Sequence, residues 1–306
     1  MRVRGRRGTL AFAVLAMTLV GCAHSAEETA ADGGVPPAPA NLVGKVDNAL
    51  RQRFPDRIQA SGVLRLAADP SYPPSTFKDA AGTIVGTLPD MATAITSRAG
   101  LKIEWVEVPF DGMLGGLQAK RFDASWSGWS VTEERKQVLN LVTYEKAGTS
   151  ALVRSGNPAG VQTAEDLCGR TVSVQTGTTQ AQQVMDELQQ RCAAAGKPKV
   201  EVLQLPQQTN VNQAVATGRA DALLADNSLV GYQARLQRGV FQAVPGILIQ
   251  AVAAGVAVPK DDVQLAQAIA AGFDAIMADG SYGAVLARWQ NSNAALAKAE
   301  VNPSTP

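Results

Sequence analysis

Arg135, Asp226, Thr179, Ser130 and Gly128 are residues whose types and local settings could together hold a small zwitterion. A carboxylate and an ammonium on one carbon call for one cation, one anion and a few oriented hydrogen bonds. Arg135 offers a planar, two-pronged donor to a carboxylate. Thr179 stands where a strand pattern gives way to a helix pattern, so its N–H and the helix end can add to anion binding. Asp226, closing another strand pattern, can pair with an ammonium. Ser130 can donate its backbone N–H to the carboxylate and accept from the ammonium through its hydroxyl. Gly128 lets a ligand approach the backbone closely. Each also has a plain structural role. Arg135 suits a solvated helix, Asp226 a turn and Thr179 a helix cap.

Other chemistries fare worse. The only histidine, His24, lies far from every candidate above, so neither a Ser-His-Asp triad nor a histidine-containing metal cluster can be assembled. There is no phosphate-binding Walker loop and no Gly-x-Gly-x-x-Gly turn, so no cofactor is expected. Glu133-Glu134 reads as a solvated helix start rather than a catalytic pair.

The elements that would position these residues alternate. Val63–Ala67 reads as a strand, Leu88–Ala99 as a helix with Pro89 in its first turn and Gly100 as its stop, and Ile103–Val108 as a strand. A short helix from Asp111 to Arg121 precedes a strand over 123–127. A second series follows: strand 171–175, a long helix opening at Thr178 or Thr179, strand 200–205, helix 210–217 stopped by Gly218, strand 221–225 and a helix from Ser228. A long apolar strand over 247–258 and helices over 262–278 and 281–290 close the chain. This rhythm predicts an α/β fold.

Several fragments occur in an order that is more specific than any one of them. They are Asp69-Pro70-Ser71-Tyr72-Pro73-Pro74, Pro109-Phe110-Asp111-Gly112 and the run from Ser127 to Arg135. Asp166 to Val172, Gly177-Thr178-Thr179-Gln180, Gly218 to Ala222 before Asp226, and Asp279-Gly280-Ser281-Tyr282 before Trp289 follow. Over about residues 60–290 the set resembles the family 3 solute-binding proteins, the polar amino-acid receptors of ABC importers. The resemblance implies a two-lobed periplasmic-binding-protein type II fold with two crossover hinge segments, near Ala147–Arg154 and Gly246–Val252. Lobe 1 would hold 59–151 plus 249–292 and lobe 2 residues 152–248, with a tail over 293–306. It implies that Asp69, Tyr72, Phe110, Gly128, Ser130 and Arg135 from one lobe, and Gln175, Thr179, Gln180 and Asp226 from the other, bind a free amino acid. Tyr72 and Phe110 match rings that flank the ligand's side chain. Asp69 with the Thr-Thr-Gln segment points to arginine, lysine, ornithine or glutamine rather than glutamate. Trp129 serves equally as pocket wall or packing. Ser75 departs from a usual aromatic, which bears on specificity. Thr87-Leu88-Pro89-Asp90 departs from a usual Phe-Asp-x-Asp. Partners implied are membrane permease subunits. A prephenate or arogenate dehydratase and a ligand-sensing receptor are the alternatives on the same fold.

The ends of the chain bear on location. Arg2, Arg4, Arg6 and Arg7, an apolar run over 10–20 and Leu19-Val20-Gly21-Cys22 resemble a lipoprotein signal over 1–21, with Cys22 lipidated. A flexible tether is expected over 22–58, because its first part is rich in Ala, Glu, Gly and Pro. The protein would sit on the extracytoplasmic face of the cell membrane, as a monomer. In that compartment the remaining pair, Cys168 and Cys192, is expected to be disulfide-bonded. The formal charge of +1 becomes −3 once the four signal arginines are removed, and no basic face points to nucleic acid.

Overall fold

Two long strands organise the protein, because they pair with each other along their length while each is hydrogen-bonded to one half of a single sheet. The computed structural model describes residue 1 and residues 35–304; the expected signal and Cys22 lie outside the described residues. In chain order the strands are β1 (Val63–Ala68), β2 (Ser71–Tyr72), β3 (Thr76–Lys78), β4 (Ile84–Val85), β5 (Lys102–Glu107), β6 (Ala124–Ser130), β7 (Leu139–Arg154), β8 (Thr171–Gln175), β9 (Glu201–Leu205), β10 (Ala222–Asp226) and β11 (Phe241–Pro259). The eight-stranded sheet runs β5-β1-β6-β11-β7-β10-β8-β9. β5-β1-β6 and β10-β8-β9 are parallel blocks. β7 and β11 pair antiparallel between them, from Leu139 opposite Pro259 to Arg154 opposite Phe241. β6 meets only the 254–257 stretch of β11, and β10 meets only the 149–153 stretch of β7. The β7–β11 register shifts between Val244 and Ile249, between Ile249 and Val252, and between Ala254 and Gly255.

Parallel strands bury both faces, and apolar clusters cover each block on two sides. The helix Thr87–Ala99 ends where Gly100 takes a left-handed conformation, φ +61°, as its position after the apolar run predicts. Asp90 on that helix receives Arg288 at 2.7 Å and the Trp289 indole N–H at 2.7 Å. The cysteine pair is bonded, joining the turn after Ala164–Leu167 to the helix Met185–Ala194.

The structure corrects the expected tether over its described part, 35–58. Leu42, Leu50, Phe54 and Ile58 are buried in the same cluster as Leu88, Met91 and Ile95. The buried Arg98 donates to the carbonyls of Asn41 and Leu42, and Arg288 to that of Pro36. Four widely spaced apolar anchors and two arginines hold a segment whose average composition reads as loose. The expected C-terminal tail also packs: Asn302 and Leu141 exchange backbone and side-chain hydrogen bonds of 2.8 Å, and Val301 bridges Val142. It covers an edge of β7 that β10 does not reach.

Candidate functional site

Arg135 is fixed before any ligand is considered. Thr132 caps its short helix Glu133–Val138, the hydroxyl accepting from the Arg135 N–H at 3.2 Å. The guanidinium lies 5.0 Å from the Trp129 ring centroid and 5.9 Å from that of Phe110, and the two rings are 4.7 Å apart. Its Nη1 donates to the Ser130 carbonyl at 3.2 Å and its Nη2 to the Gly177 carbonyl at 3.1 Å. Burial lowers its pKa to about 10, against the pull of Asp226 and Glu134, so it remains a cation at neutral pH. A guanidinium has five N–H donors, which leaves others for a carboxylate. Trp129, whose indole N–H donates to Ser125 Oγ at 2.8 Å, backs the arginine instead of lining the cavity.

Across the cavity stands Asp226, at the end of β10. Gln180 Nε2 donates to its Oδ1 at 2.9 Å, and its backbone N–H donates to the Tyr72 hydroxyl at 3.0 Å. Burial raises the Asp226 pKa, opposed by Gln180, Tyr72 and Arg135. Gly128 gives the acid room: a Cβ there would lie 3.8 Å from Asp226 Oδ2 and 3.2 Å from the Tyr144 hydroxyl. A third charge, Asp69, accepts Gln175 Nε2 at 2.7 Å and the Ser71 N–H at 3.1 Å. Burial raises its pKa against those bonds. Ser130 Oγ and Thr179 Oγ1 are 3.0 Å apart.

All ten sequence-predicted residues line one cleft. Asp69, Tyr72, Phe110, Gly128, Ser130 and Arg135 form one wall, and Gln175, Thr179, Gln180 and Asp226 the other. Four contacts already bridge the walls: Asp69–Gln175, Tyr72–Asp226, Ser130–Thr179 and Arg135–Gly177. The sequence reading leaves out Thr76, Ser127 and Thr178, which also line the cleft, and treats Ser75 only as a departure. Ser127 and Thr178 neighbour assigned residues, a signal that could have found them. Thr76 lies in a three-residue strand that no pattern marks. The helix after Thr179 opens as a π-helical turn, Gln180–Val184, which turns Gln180 toward Asp226 and Thr149. Among the described residues no group of three or more His, Cys, Asp or Glu side chains could hold a metal ion.

A strand-end acid facing a caged arginine across two half-sheets is the arrangement the sequence fragments anticipate, and comparison with known proteins agrees. Residues 64–292 match the sequence profile of the bacterial extracellular solute-binding proteins, family 3. The chain belongs to this family. It is 29% identical over 302 residues to the arginine-binding protein ArgT of Corynebacterium glutamicum, covering 98% of this chain and 96% of that protein. It is 30% identical over 226 residues to the histidine-binding periplasmic protein of Salmonella typhimurium, covering 72% and 84%. Among solved structures, an ancestral arginine-binding protein bound to arginine superposes with a TM-score of 0.66 at 30% identity, covering 74% of this chain and 98% of that one. The ancestral amino-acid-binding protein AncCDT-1, a precursor of cyclohexadienyl dehydratase, does so with a TM-score of 0.66 at 30% identity, covering 76% and 98%. This family 3 protein is therefore an extracytoplasmic solute-binding protein of the two-lobed type, and its named relatives are binding proteins rather than enzymes.

Proposed function

We propose that this solute-binding protein captures a cationic amino acid, arginine foremost, between its two lobes and presents it to an ABC permease. In this reading it is held at the membrane by a lipid on Cys22. Arg135 takes the α-carboxylate together with the Ser130 and Thr179 N–H groups. Asp226 takes the α-ammonium, and Asp69 faces the side chain. The observation that carries the reading is the placement of one guanidinium and two carboxylates around a single cleft, with the cation caged by rings and carbonyls. Among the described residues Arg135 meets no carboxylate at ion-pair distance, so its charge is free to answer a ligand's. One cation and two anions leave the site at −1, and an amino acid of charge +1 brings it to neutrality. Asp69 would repel an acidic side chain. The arginine named for two of the relatives supports the same choice.

A thermal-shift screen against the common amino acids and ornithine tests the reading, since a ligand that binds only the folded state raises its melting temperature. Arginine is expected to give the largest shift. Arg135→Ala should weaken every amino acid by at least about 30-fold, because truncating one partner of a buried charge pair costs about 2–5 kcal/mol. Unchanged affinity in that variant, measured by calorimetry, would refute the assignment.

A further inference from the structure

One hydroxyl in the cleft has no use inside the protein. Thr76 Oγ1 is the single buried side-chain polar atom without a hydrogen-bond partner among the described residues. The residue is 2% exposed and lines the same cleft as Asp69 and Arg135. Its orientation follows from its strand. Thr76 sits directly opposite Tyr72 in the β2–β3 pair, and cross-strand partners project to the same face. The next residue, Phe77, projects the other way, edge-on to Trp289 at 5.6 Å and beside Tyr232 at 6.3 Å. Thr76 is therefore held at the cleft wall beside the Tyr72 ring, with no freedom to exchange places with its neighbour.

Elsewhere in the described structure even awkwardly placed polar groups find partners: Ser173 reaches two carbonyls, and Gln175 joins Asp69 to the Pro206 carbonyl. Burying a hydroxyl alone is unfavourable, and a valine of the same shape would avoid the cost. An orphan on the wall of a ligand cleft gains its bond when the ligand supplies the partner. We propose that Thr76 is a specificity-determining residue whose hydroxyl accepts an N–H from the ligand's side chain, alongside the Asp69 carboxylate. The inference rests on the amino-acid reading above and sharpens it. Two acceptors on one wall select a side chain carrying several N–H donors, such as a guanidinium, and disfavour an alkyl chain of equal length. A site built to hydrogen-bond a ligand group rejects an analogue without that group far better than an apolar pocket separates sizes.

The test uses Thr76→Val, which keeps the shape and removes the hydroxyl, and Thr76→Ser, which keeps the hydroxyl. Calorimetry would compare arginine with norleucine on all three proteins. Thr76→Val is expected to weaken arginine about tenfold or more, to leave norleucine unchanged or tighter, and to melt no lower than wild type without ligand. Thr76→Ser should stay within about threefold of wild type for arginine. Wild-type arginine affinity in the valine variant would overturn the inference while leaving the amino-acid reading intact. Equal losses in the serine and valine variants would also overturn it, since they would assign the effect to the methyl group. If wild type binds no amino acid, both readings fall together.

Discussion

Glu145 shows how one buried acid can set the charge balance of a site it does not line. It is 6% exposed in β7, and Asn291 Nδ2 donates to its Oε2 at 2.8 Å. No ion pair involving it occurs among the described residues. Burial first, and then the negative charge of Asp226, push its pKa from 4.5 up to about 8, so it is protonated at neutral pH and adds no charge. The unfolded chain gives up this proton near the ordinary value. Between about pH 4.5 and about pH 8 the unfolded state therefore holds fewer protons, and this group's contribution to stability falls as the pH rises. Glu145→Gln should remove that slope. Relative to wild type, the variant should gain about 3 kcal/mol between pH 5 and pH 8, at about 1.4 kcal/mol per unit of pKa. Urea unfolding at the two pH values reads this directly, and a difference that stays constant with pH would refute it. The sequence offered no view of this residue, because its partner Asn291 is 146 positions away. Arg135 and Asp226 were picked out by the order of the fragments around them, the run Ser127–Arg135 and Gly218–Ala222 before Asp226, since alone each also suits a solvated helix or a turn. Thr76 was not, because only the β2–β3 pairing gives it a facing direction.

At the scale of elements, legibility followed the strength of local pattern. The helix Thr87–Ala99 and the strands β1, β5, β8 and β10 were read to within about two residues, because their apolar periodicity and glycine stops are local signals. β7 was not read as a strand at all. Glu145, Lys146 and Gly148 interrupt its apolar run, and its continuity comes from β11 on one side and from β10 and the C-terminal segment on the other. The segment over 35–58 was misread for the opposite reason, since few apolar residues suffice when each is fully buried. Phe54, with no exposed surface, and Ile58, 1% exposed, make it part of the lobe that carries Asp69 and Arg135. Phe54→Ala should lower unfolding free energy by about 3–5 kcal/mol, the usual cost of emptying a buried aromatic site. A loss below about 1 kcal/mol in urea would show that this segment adheres without supporting the core.

At the scale of the whole molecule, the two parallel blocks are joined through β7 and β11, and the register shifts of that pair fall mainly where it passes from one block to the other. Motion concentrated there would swing the cleft walls apart without breaking either core, the hinge mode by which such receptors close on a ligand. The backbones of the two sides also approach each other at Gly177, where φ is +81° and a Cβ would lie 3.1 Å from Asp111 Cα and 3.2 Å from Asp111 Cβ. Disulfides form with Cβ atoms about 3.5–4.5 Å apart, so a small shift would let cysteines at these two positions bond. The pair Asp111→Cys and Gly177→Cys should then lock the cleft shut on oxidation, with the linked peptides visible by mass spectrometry. If the cleft must open to admit its ligand, the oxidised protein should take up arginine at least about tenfold more slowly than the reduced one, and reduction should restore the rate. Equal uptake in the locked and unlocked forms would mean that ligand enters without separation of the walls, and the hinge account would have to be abandoned.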